Sequence, residues 1–331
     1  MRQIIRNVKI LGTGSYVPET KYTNEFLETI VPTNAEWIFN TLGIKERRIS
    51  SVNETTSDLA AKAGEFAVKD AGLDILDIEL IIVATATPDR KAPSTAAIVQ
   101  NKLGAINAAA FDINAVCSGF LFAMSIASQY IASGVYSNVL VIGADTFSKI
   151  TDWTRRDSVF FGDGAGAAIV SSSNVNEGFL AYRIYTDTSH DMYGFTVPGG
   201  GSEIPLNQEN INNGLQFFQM DGRKVYDTAI VSLPKAINQV LADTGFTIDD
   251  IDMMIPHQPS IRILQKTAEI IGLPFEKVMH NMDKYANTSS ATIPLLLDEL
   301  KQSGKLKKGN IILFAAVGSG WTYGASIIKW A

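Results

Sequence analysis

The sequence predicts a layered α/β fold made of two similar halves, and three observations support this prediction. Strand-like apolar runs alternate with helix-like segments, a pattern typical of sheets covered by helices. The chain has 331 residues, of which 46% are hydrophobic and 19% charged, so it is neither disordered nor collagen-like. Residues 68–85 also resemble residues 241–258, which indicates an internal duplication.

The duplication appears when the chain is shifted by 173 residues (241 − 68 = 173) against itself. Six positions of the 18-residue window are then identical, where chance would supply roughly one. They are Asp70/Asp243, Gly72/Gly245, Ile75/Ile248, Asp77/Asp250, Ile78/Ile251 and Ile82/Ile255. The run VLVIGAD at 139–145 is similar in pattern to IILFAAVG at 311–318, since each is an apolar run followed by a glycine-rich turn and a last apolar strand. We therefore expect two halves, about 1–171 and 172–331, that meet in the turn-rich stretch 171–178.

In the first half, the pattern predicts helices over 57–72, 95–103 and 118–134 and strands over 79–85 and 110–116. The first helix begins at Ser57 as its N-cap and ends at Gly72. The strand 79–85 is apolar throughout, as buried parallel strands are. The helix 118–134 is apolar nearly all round, which places it in the middle of the body.

In the second half, the pattern predicts a helix over 222–245 that is interrupted at Pro234, a strand over 251–256 and a helix over 290–304. The glycine-rich stretch 162–170 lacks the Gly-Lys-Ser/Thr of a nucleotide-binding loop, so it predicts a tight hairpin turn. The glycines of 318–324 allow backbone N–H groups to approach a ligand closely. Residues 198–201 are expected to form a loop.

Charge and cysteine content narrow the classes of function. The net charge is 28 − 34 = −6 with no long basic block, so a nucleic-acid partner is not expected. The sequence shows neither a transmembrane-length apolar run nor a secretory signal, which predicts a cytoplasmic protein without a membrane partner. The single cysteine, Cys117, excludes disulfides and multi-cysteine metal sites within the chain. The chain has only three histidines, His190, His257 and His280, so the candidates for a general base are few.

Cys117 is a candidate nucleophile because of its position. A lone cysteine is most often an inert small hydrophobe. Here it follows the strand 110–116 and precedes a long helix, whose macrodipole favours the thiolate. A strand-to-helix corner also holds a side chain rigidly, as a nucleophile requires.

His257 and Asn287 are candidate partners of the thiol. His257 follows the strand 251–256, and open α/β sheets place their chemistry at the carboxyl ends of strands. Asn287 precedes the helix 290–304, where an asparagine is as well suited to be an N-cap or turn former as to be a catalytic partner. Cys117 and Asn287 stand just before the corresponding helices of the two halves. Two-fold symmetry would bring both helix N-termini to one central point.

These residues lie in motifs that resemble the β-ketoacyl-acyl-carrier-protein synthase III family, a group of condensing enzymes in the thiolase superfamily. The motifs are DINAVCSGF, IPHQPSIRI, YANTSSATIP, FGDGAGAAIV and GSGWTYG, in the family's order and along the whole chain. The resemblance implies a thiolase-like, duplicated α/β/α/β/α fold and a homodimer. It implies an acyltransferase of fatty acid biosynthesis that needs neither a metal nor a redox cofactor.

The resemblance also implies two half-reactions. Cys117 would take an acyl group from an acyl-coenzyme A thioester and release free coenzyme A. Malonyl-acyl carrier protein would then lose carbon dioxide and attack the acyl-enzyme, giving a 3-oxoacyl product. His257 and Asn287 would donate hydrogen bonds to the malonyl thioester oxygen. The backbone N–H groups of Cys117 and Ser319 would form the oxyanion hole for the acyl carbonyl.

Binding residues are implied in the same way. The residues expected to contact coenzyme A or the acyl carrier protein are Trp37, Arg155, Arg156 and Arg262. There are three departures from the family's pattern: Thr41 replaces an arginine, Pro259 and Ser260 replace Ala-Asn, and Ala92 replaces a bulky residue that gates the acyl pocket across the dimer. Ala92 therefore predicts a pocket that accepts more than a two-carbon chain.

Other functions fit parts of the pattern. Relatives that make quinolones, resorcinols or polyketide starters depart in similar places, so a specialised ketosynthase is the main alternative. Papain-like hydrolases also place a histidine 130–150 residues after the cysteine, and here the interval is 257 − 117 = 140, but their cysteine motif is absent. An inactive partner subunit is disfavoured because the Cys, His and Asn are all present.

Overall fold

The computed structural model describes residues 8–173, 177–189 and 191–331, so His190 and part of the predicted 171–178 junction lie outside the described residues. The strands are β1 Val8–Tyr16, β2 Lys21–Thr23, β3 Glu46–Arg48, β4 Leu80–Ala84, β5 Ala109–Ile113, β6 Asn138–Thr146, β7 Asp163–Ser172, β8 Gly178–Thr186, β9 Phe195–Thr196, β10 Gln219–Met220, β11 Met253–Pro256, β12 Ile311–Gly318 and β13 Thr322–Lys329. The helices are α1 Asn24–Glu28, α2 Ala35–Leu42, α3 Thr56–Asp70, α4 Thr95–Leu103, α5 Gly119–Ala132, α6 Gln208–Asn212, α7 Gly222–Thr244, α8 Ile261–Ile271, α9 Met282–Tyr285 and α10 Thr292–Gln302.

Two sheets repeat one strand order. The first runs β5-β4-β6-β7-β1, and the second runs β11-β12-β13-β8. In each, a parallel pair (β4 with β6, β11 with β12) is followed by antiparallel partners. In this match β4 is equivalent to β11 and β6 is equivalent to β12, as the predicted duplication requires. The division of the chain at residue 171 stays a prediction, which this repeated order supports.

Helices cover both faces of both sheets, in the five layers of the predicted fold. α3 and α4 pack on the outer face of the first sheet, and α7 and α8 on the outer face of the second. α5 and α10 lie between the sheets, where one hydrophobic core joins both helices to both sheets. The predicted fold class is confirmed. The sandwiched helices matter most for function, because their N-termini meet near the middle of the molecule.

The predicted helix 57–72 is present as α3, but its predicted N-cap is wrong. Thr55 caps the helix, and the Thr55 backbone N–H donates to the Asp58 carboxylate at 2.9 Å in a capping box. Ser57 lies inside the first turn, where its hydroxyl donates to Asp89 at 2.5 Å. A threonine two residues earlier was the stronger signal, because an acidic residue stands three positions after it.

The predicted interruption at Pro234 is also wrong, since α7 runs through it for 23 residues. A proline inside a helix costs about 3 kcal/mol because one backbone hydrogen bond is lost. Here the helix buries an apolar stripe against the second sheet: Ala229, Leu233, Ala236, Ile237 and Val240. That burial outweighs the cost of one missing bond.

The glycine-rich stretch 162–170 is not a hairpin turn, because β7 begins at Asp163 and contains Gly164 and Gly166. A Cβ atom on Gly166 would lie 2.5 Å from the Leu295 backbone nitrogen, so only glycine lets α10 approach the strand this closely. The glycines therefore serve helix-on-sheet packing. Among the residues that the structure describes, none of the helices is both long and apolar enough to span a membrane.

Candidate active site

Cys117 lies in a short 3-10 turn, Val116–Ser118, between β5 and α5. The predicted strand 110–116 is shorter than expected, because β5 ends at Ile113 and the chain then turns sharply, with Val116 at a φ of 46°. Such a left-handed conformation is strained for a β-branched residue and marks many functional sites. Ser118 anchors the turn to the second half, since its hydroxyl donates to the Thr322 carbonyl at 2.8 Å.

Asn287 lies at the equivalent place of the second half, before the 3-10 turn Ser289–Ala291 and α10. The backbone N–H of Ser289 donates to the Asn287 Oδ1 atom at 2.8 Å. This bond fixes the orientation of the buried amide and leaves its Nδ2 donor end for the cavity. The 3-10 turns that carry Cys117 and Ser289 pack against each other, as the duplication predicts.

His257 follows β11 directly, and its backbone N–H donates to the Ala315 carbonyl of β12 at 2.8 Å. Its ring is buried, and Nδ1 lies 2.8 Å from the Thr292 hydroxyl. Burial lowers the pKa of His257 to about 3, a shift that the Ser289 backbone carbonyl only partly opposes. The imidazole is therefore neutral at physiological pH.

One cavity of about 480 Å³ brings these three residues together. Its size suits a small organic ligand. The described residues that line it include no aspartate or glutamate. They are Thr41, Leu42, Cys117, Phe160, Phe161, Phe195, Met220, Gly222, Arg223, Val225, Tyr226, His257, Pro259, Ser260, Arg262, Ile263, Asn287, Val317, Gly318, Ser319 and Trp321. The aromatic and aliphatic side chains of this lining form an apolar wall.

Burial, more than the helix macrodipole, sets the protonation of Cys117. It raises the pKa of the thiol to about 12; the Ser289 hydroxyl opposes the rise and the Asp145 carboxylate adds to it. The expected thiolate is therefore absent from the resting site at neutral pH. The resting pair is a thiol and a neutral imidazole, so the sulfur must lose a proton as it attacks.

The turn that carries Ser319 approaches Cys117 through its backbone. A Cβ atom on Gly318 would lie 3.0 Å from the Cys117 backbone nitrogen and 2.8 Å from the Ala115 carbonyl oxygen. Glycine is thus needed so that this turn and the Cys117 turn can touch. Cys117, Gly318 and Ser319 all line the cavity.

The predicted binding residues separate into two groups. Arg262, Thr41, Pro259 and Ser260 line the cavity. Trp37, Arg155 and Arg156 are not among the described lining residues; the Arg156 guanidinium lies 4.0 Å from the Trp37 ring centroid, and Arg155 pairs with Asp157 at 2.6 Å. Ala92 is exposed and also outside the lining, so it can gate the pocket only from a partner subunit.

The sequence analysis missed two buried side chains that hold the site. Asp145, at the end of β6, accepts hydrogen bonds from the Ala86 N–H at 2.8 Å and from the Ser290 N–H and hydroxyl at 3.0 and 2.6 Å. It therefore ties the first half to the turn before α10. Thr292 supports the His257 ring. Neither residue type is rare enough to attract notice, and no local pattern marks them.

Metal binding has little support in the side chains near the site. Among the described residues, no group of three or more His, Cys, Asp and Glu side chains is arranged to hold a metal ion. Cys117 is a free thiol.

Comparison with known proteins agrees with this arrangement. Two family models match the chain. The model described as 3-oxoacyl-[acyl-carrier-protein] synthase III matches residues 111–188, and the model of the C-terminal part of that family matches residues 241–330. The chain is 47% identical to a β-ketoacyl-[acyl-carrier-protein] synthase III of Caldanaerobacter subterraneus over 97% of both chains.

Solved structures give the same result. The 3-oxoacyl-[acyl-carrier-protein] synthase III of Aquifex aeolicus superposes with a TM-score of 0.88 at 41% identity, covering 98% of this chain and 100% of that one. The priming β-ketosynthase of the R1128 polyketide pathway superposes with a TM-score of 0.90 at 30% identity, covering 100% and 98%. The papain-like alternative does not fit this fold. The chain belongs to the β-ketoacyl-acyl-carrier-protein synthase III family of condensing enzymes, which are acyltransferases with a thiolase-like fold.

Proposed function

We propose that this enzyme transfers an acyl group from an acyl-coenzyme A to Cys117 and then condenses it with malonyl-acyl carrier protein. One observation carries the proposal: Cys117, His257 and Asn287, from three separate segments, line one cavity with an apolar wall. The wall suits an acyl chain, and the three polar groups suit thioester chemistry. Both substrates are thioesters of the cell interior, so we also propose a cytoplasmic enzyme.

In the first half-reaction, the Cys117 sulfur attacks the thioester carbonyl carbon. The thiol proton passes to the neutral His257 ring, the carbon–sulfur bond to coenzyme A breaks, and the leaving sulfur takes the proton back from the ring. The backbone N–H groups of Cys117 and Ser319 stabilise the negative oxygen of the tetrahedral intermediate. Acyl-enzyme and free coenzyme A result.

In the second half-reaction, the malonyl carboxylate leaves as carbon dioxide, and its electron pair becomes an enolate. Asn287 Nδ2 and a His257 N–H donate hydrogen bonds to the enolate oxygen as its charge grows. The enolate carbon attacks the acyl carbonyl, and the Cys117 sulfur leaves and takes one proton from solvent. The product is a 3-oxoacyl thioester.

The residues outside the catalytic group divide the remaining work. Arg262 is the cation we assign to the phosphate of the carrier arm, because it lines a cavity in which the described residues include no acid. Trp37 and Arg156, already stacked, form a flat surface for the adenine of coenzyme A, and Arg155 lies beside them. Thr41 supplies no charge to this group, which weakens binding of the nucleotide relative to an arginine there.

We propose a homodimer formed through β5. β5 is an edge strand of the first sheet, and its residues Ala109–Ile113 are half-buried or exposed. An unpaired edge of this kind pairs readily with the same strand of a second copy. The exposed Ala92 would then reach the partner's acyl pocket.

A specialised priming ketosynthase is the second candidate. It is favoured by Ala92 and Thr41, which replace the bulky gate and the arginine of the family's pattern. The similarity to the R1128 priming enzyme fits the same idea. In that case the donor is an acyl group longer or bulkier than acetyl, and the two half-reactions are unchanged.

The test measures the half-reactions separately. Incubation with acetyl-, butyryl-, octanoyl- and branched-chain coenzyme A, followed by intact mass, should show one acyl adduct, which Cys117→Ala abolishes. Asn287→Asp keeps the Oδ acceptor for Ser289 but replaces the amide donor. It should accept the acyl group at a near-normal rate and condense with malonyl-acyl carrier protein roughly 10²–10³-fold more slowly.

Two results would contradict the proposal. An acyl label on Cys117→Ala would remove the assigned nucleophile. Normal condensation by both Asn287→Asp and His257→Ala would mean that the enolate is stabilised elsewhere. A preference for acetyl donors would favour the fatty-acid role over the specialised one.

A further inference from the structure

The two half-reactions require opposite states of the His257 Nε2 atom. Acylation needs Nε2 without a proton, so that it can take the proton of Cys117. Condensation needs Nε2 with a proton, so that it can donate to the enolate. A doubly protonated ring cannot serve the second step, because burial lowers the pKa of His257 to about 3. The neutral ring must therefore be able to hold its single proton on either nitrogen.

The Thr292 hydroxyl has two partners that suit this requirement. Its Oγ1 lies 2.9 Å from the Ser289 carbonyl oxygen, to which it can donate. It also lies 2.8 Å from His257 Nδ1, where either atom can be the donor. A hydroxyl has one hydrogen, so it can donate to only one of the two at a time.

Each direction of the hydroxyl fixes one tautomer of the ring. When Thr292 donates to Ser289, its oxygen accepts from Nδ1–H, and Nε2 is bare. When Thr292 donates to Nδ1, that nitrogen carries no proton, and Nε2 carries it instead. When the Thr292 hydroxyl rotates away, the Ser289 carbonyl oxygen keeps a hydrogen bond, because it also accepts from the Thr292 backbone N–H.

We propose that Thr292 is a positioning residue whose hydroxyl turns between Ser289 and His257, so that one imidazole serves as proton acceptor in acylation and as hydrogen-bond donor in condensation. This inference rests on the proposed function and adds a means by which one histidine serves both steps. Between the two steps Nε2 takes one proton from solvent and Nδ1 gives one up to solvent, so the ring changes tautomer with no net gain or loss of protons. No further reactant is needed.

Thr292→Val tests the proposal, because valine has nearly the same shape and no hydroxyl. Without the hydroxyl, Nδ1 loses the partner that can donate to it, and with it the support for the tautomer that carries the proton on Nε2. The variant should therefore keep the tautomer with a bare Nε2. We expect acylation of Cys117 within about threefold of the wild type and condensation of the preloaded acyl-enzyme slowed by roughly 10²-fold. Thr292→Ser, which restores the hydroxyl, should recover condensation.

A spectroscopic measurement reports the tautomer directly. The ¹⁵N chemical shifts of the histidine rings are measured by NMR in protein labelled with ¹⁵N-histidine. The chain has three histidines, and the signals that disappear in His257→Gln belong to His257. The wild type should show averaged shifts from both tautomers, and Thr292→Val the shifts of the Nδ1–H form alone. The wild-type signals report the tautomer even where Thr292→Val fails to fold.

Three outcomes would overturn the proposal. They are a single His257 tautomer in both free and acylated wild type, equal losses in both half-reactions of Thr292→Val, and condensation that Thr292→Ser does not recover. Failure of the proposed function looks different, because the wild type itself would then form no acyl adduct with any donor.

Discussion

The protonation of Cys117 shows how two local effects compare in size. A helix macrodipole contributes about 0.3–1 kcal/mol at an exposed helix end, which corresponds to less than one pKa unit. Removal of a thiolate from water shifts a pKa by several units. Burial therefore affects the pKa of Cys117 more than the helix macrodipole does. The pKa of the thiol is raised although Cys117 precedes α5.

Alkylation of the single cysteine should reveal this raised pKa. Iodoacetamide reacts with the thiolate, so the alkylation rate should rise about tenfold per pH unit from pH 6 to at least pH 9, with no plateau. Intact mass measures the rate without interference from another thiol, since Cys117 is the only cysteine. Denatured protein serves as the control. A plateau below pH 8 would mean that the folded site stabilises the thiolate.

The sequence could predict that Cys117, His257 and Asn287 meet at one site, because cysteine and histidine are rare in this chain and all three residues stand at the ends of predicted elements. The supporting residues could not be predicted. Thr292 meets His257 across 35 positions, and Asp145 meets Ser290 across 145. Threonine and aspartate are common, and their roles depend on contacts that only the assembled fold creates. The predicted thiolate at Cys117 was wrong for the same reason, because the burial of the thiol cannot be read from the local sequence.

Among the secondary-structure elements, β7 and α10 are joined by contact between backbones. Gly166 lies where the start of α10 presses on the strand, and α10 carries Thr292 at its first position. A side chain at Gly166 would therefore disturb both packing and site. The sequence predicted the helix 290–304, but it predicted a turn at 162–170, because the contact of these glycines with a helix depends on how two distant segments pack.

Gly166→Ala should destabilise the protein. Its new Cβ would lie 2.5 Å from the Leu295 nitrogen, so the helix must shift, at a cost of roughly 1–3 kcal/mol in the free energy of unfolding. Gly201→Ala is the matched control, because no atom lies within 4 Å of its added Cβ. Urea denaturation followed by circular dichroism measures both. Equal midpoints for the two variants would contradict the close-packing argument.

At the scale of the whole molecule, the edge of β5 offers a direct test of dimerisation. The Ala109 N–H donates to Glu79 beside β4, so alternate residues of this parallel strand bond to β4 and the others face outward. The Ala110 N–H therefore points away from the sheet. Ala110→Pro removes that outward donor without breaking a bond to β4.

Ala110→Pro should shift the protein from dimer to monomer. Light scattering coupled to size exclusion measures the mass, which should fall toward the 35.9 kDa of one chain. Thermal unfolding of the variant and the wild type, measured at the same low protein concentration, shows whether the variant is folded. A variant that stays dimeric would place the interface elsewhere on the molecule.

The pocket across this interface should be wide at Ala92. Butyryl carries two more CH₂ groups than acetyl, together worth about 1.6 kcal/mol when buried, or roughly fifteenfold in acylation rate. Wild type should show a preference of this order, and Ala92→Phe should abolish it while leaving acetyl transfer nearly unchanged. The rates with acetyl- and butyryl-coenzyme A measure both. An acetyl preference in both proteins would show that another side chain closes the pocket.

The shared core has an evolutionary consequence. One hydrophobic core contains α5 and α10 together with both sheets, so each half covers the inner face of the other. A half-length ancestor would have exposed that face to water and would have been stable only as a pair of identical copies. Fusion of two such copies would turn the interface of that pair into an interior. Joined copies are free to diverge at equivalent positions, which accounts for Cys117 in one half and Asn287 at the matching place of the other.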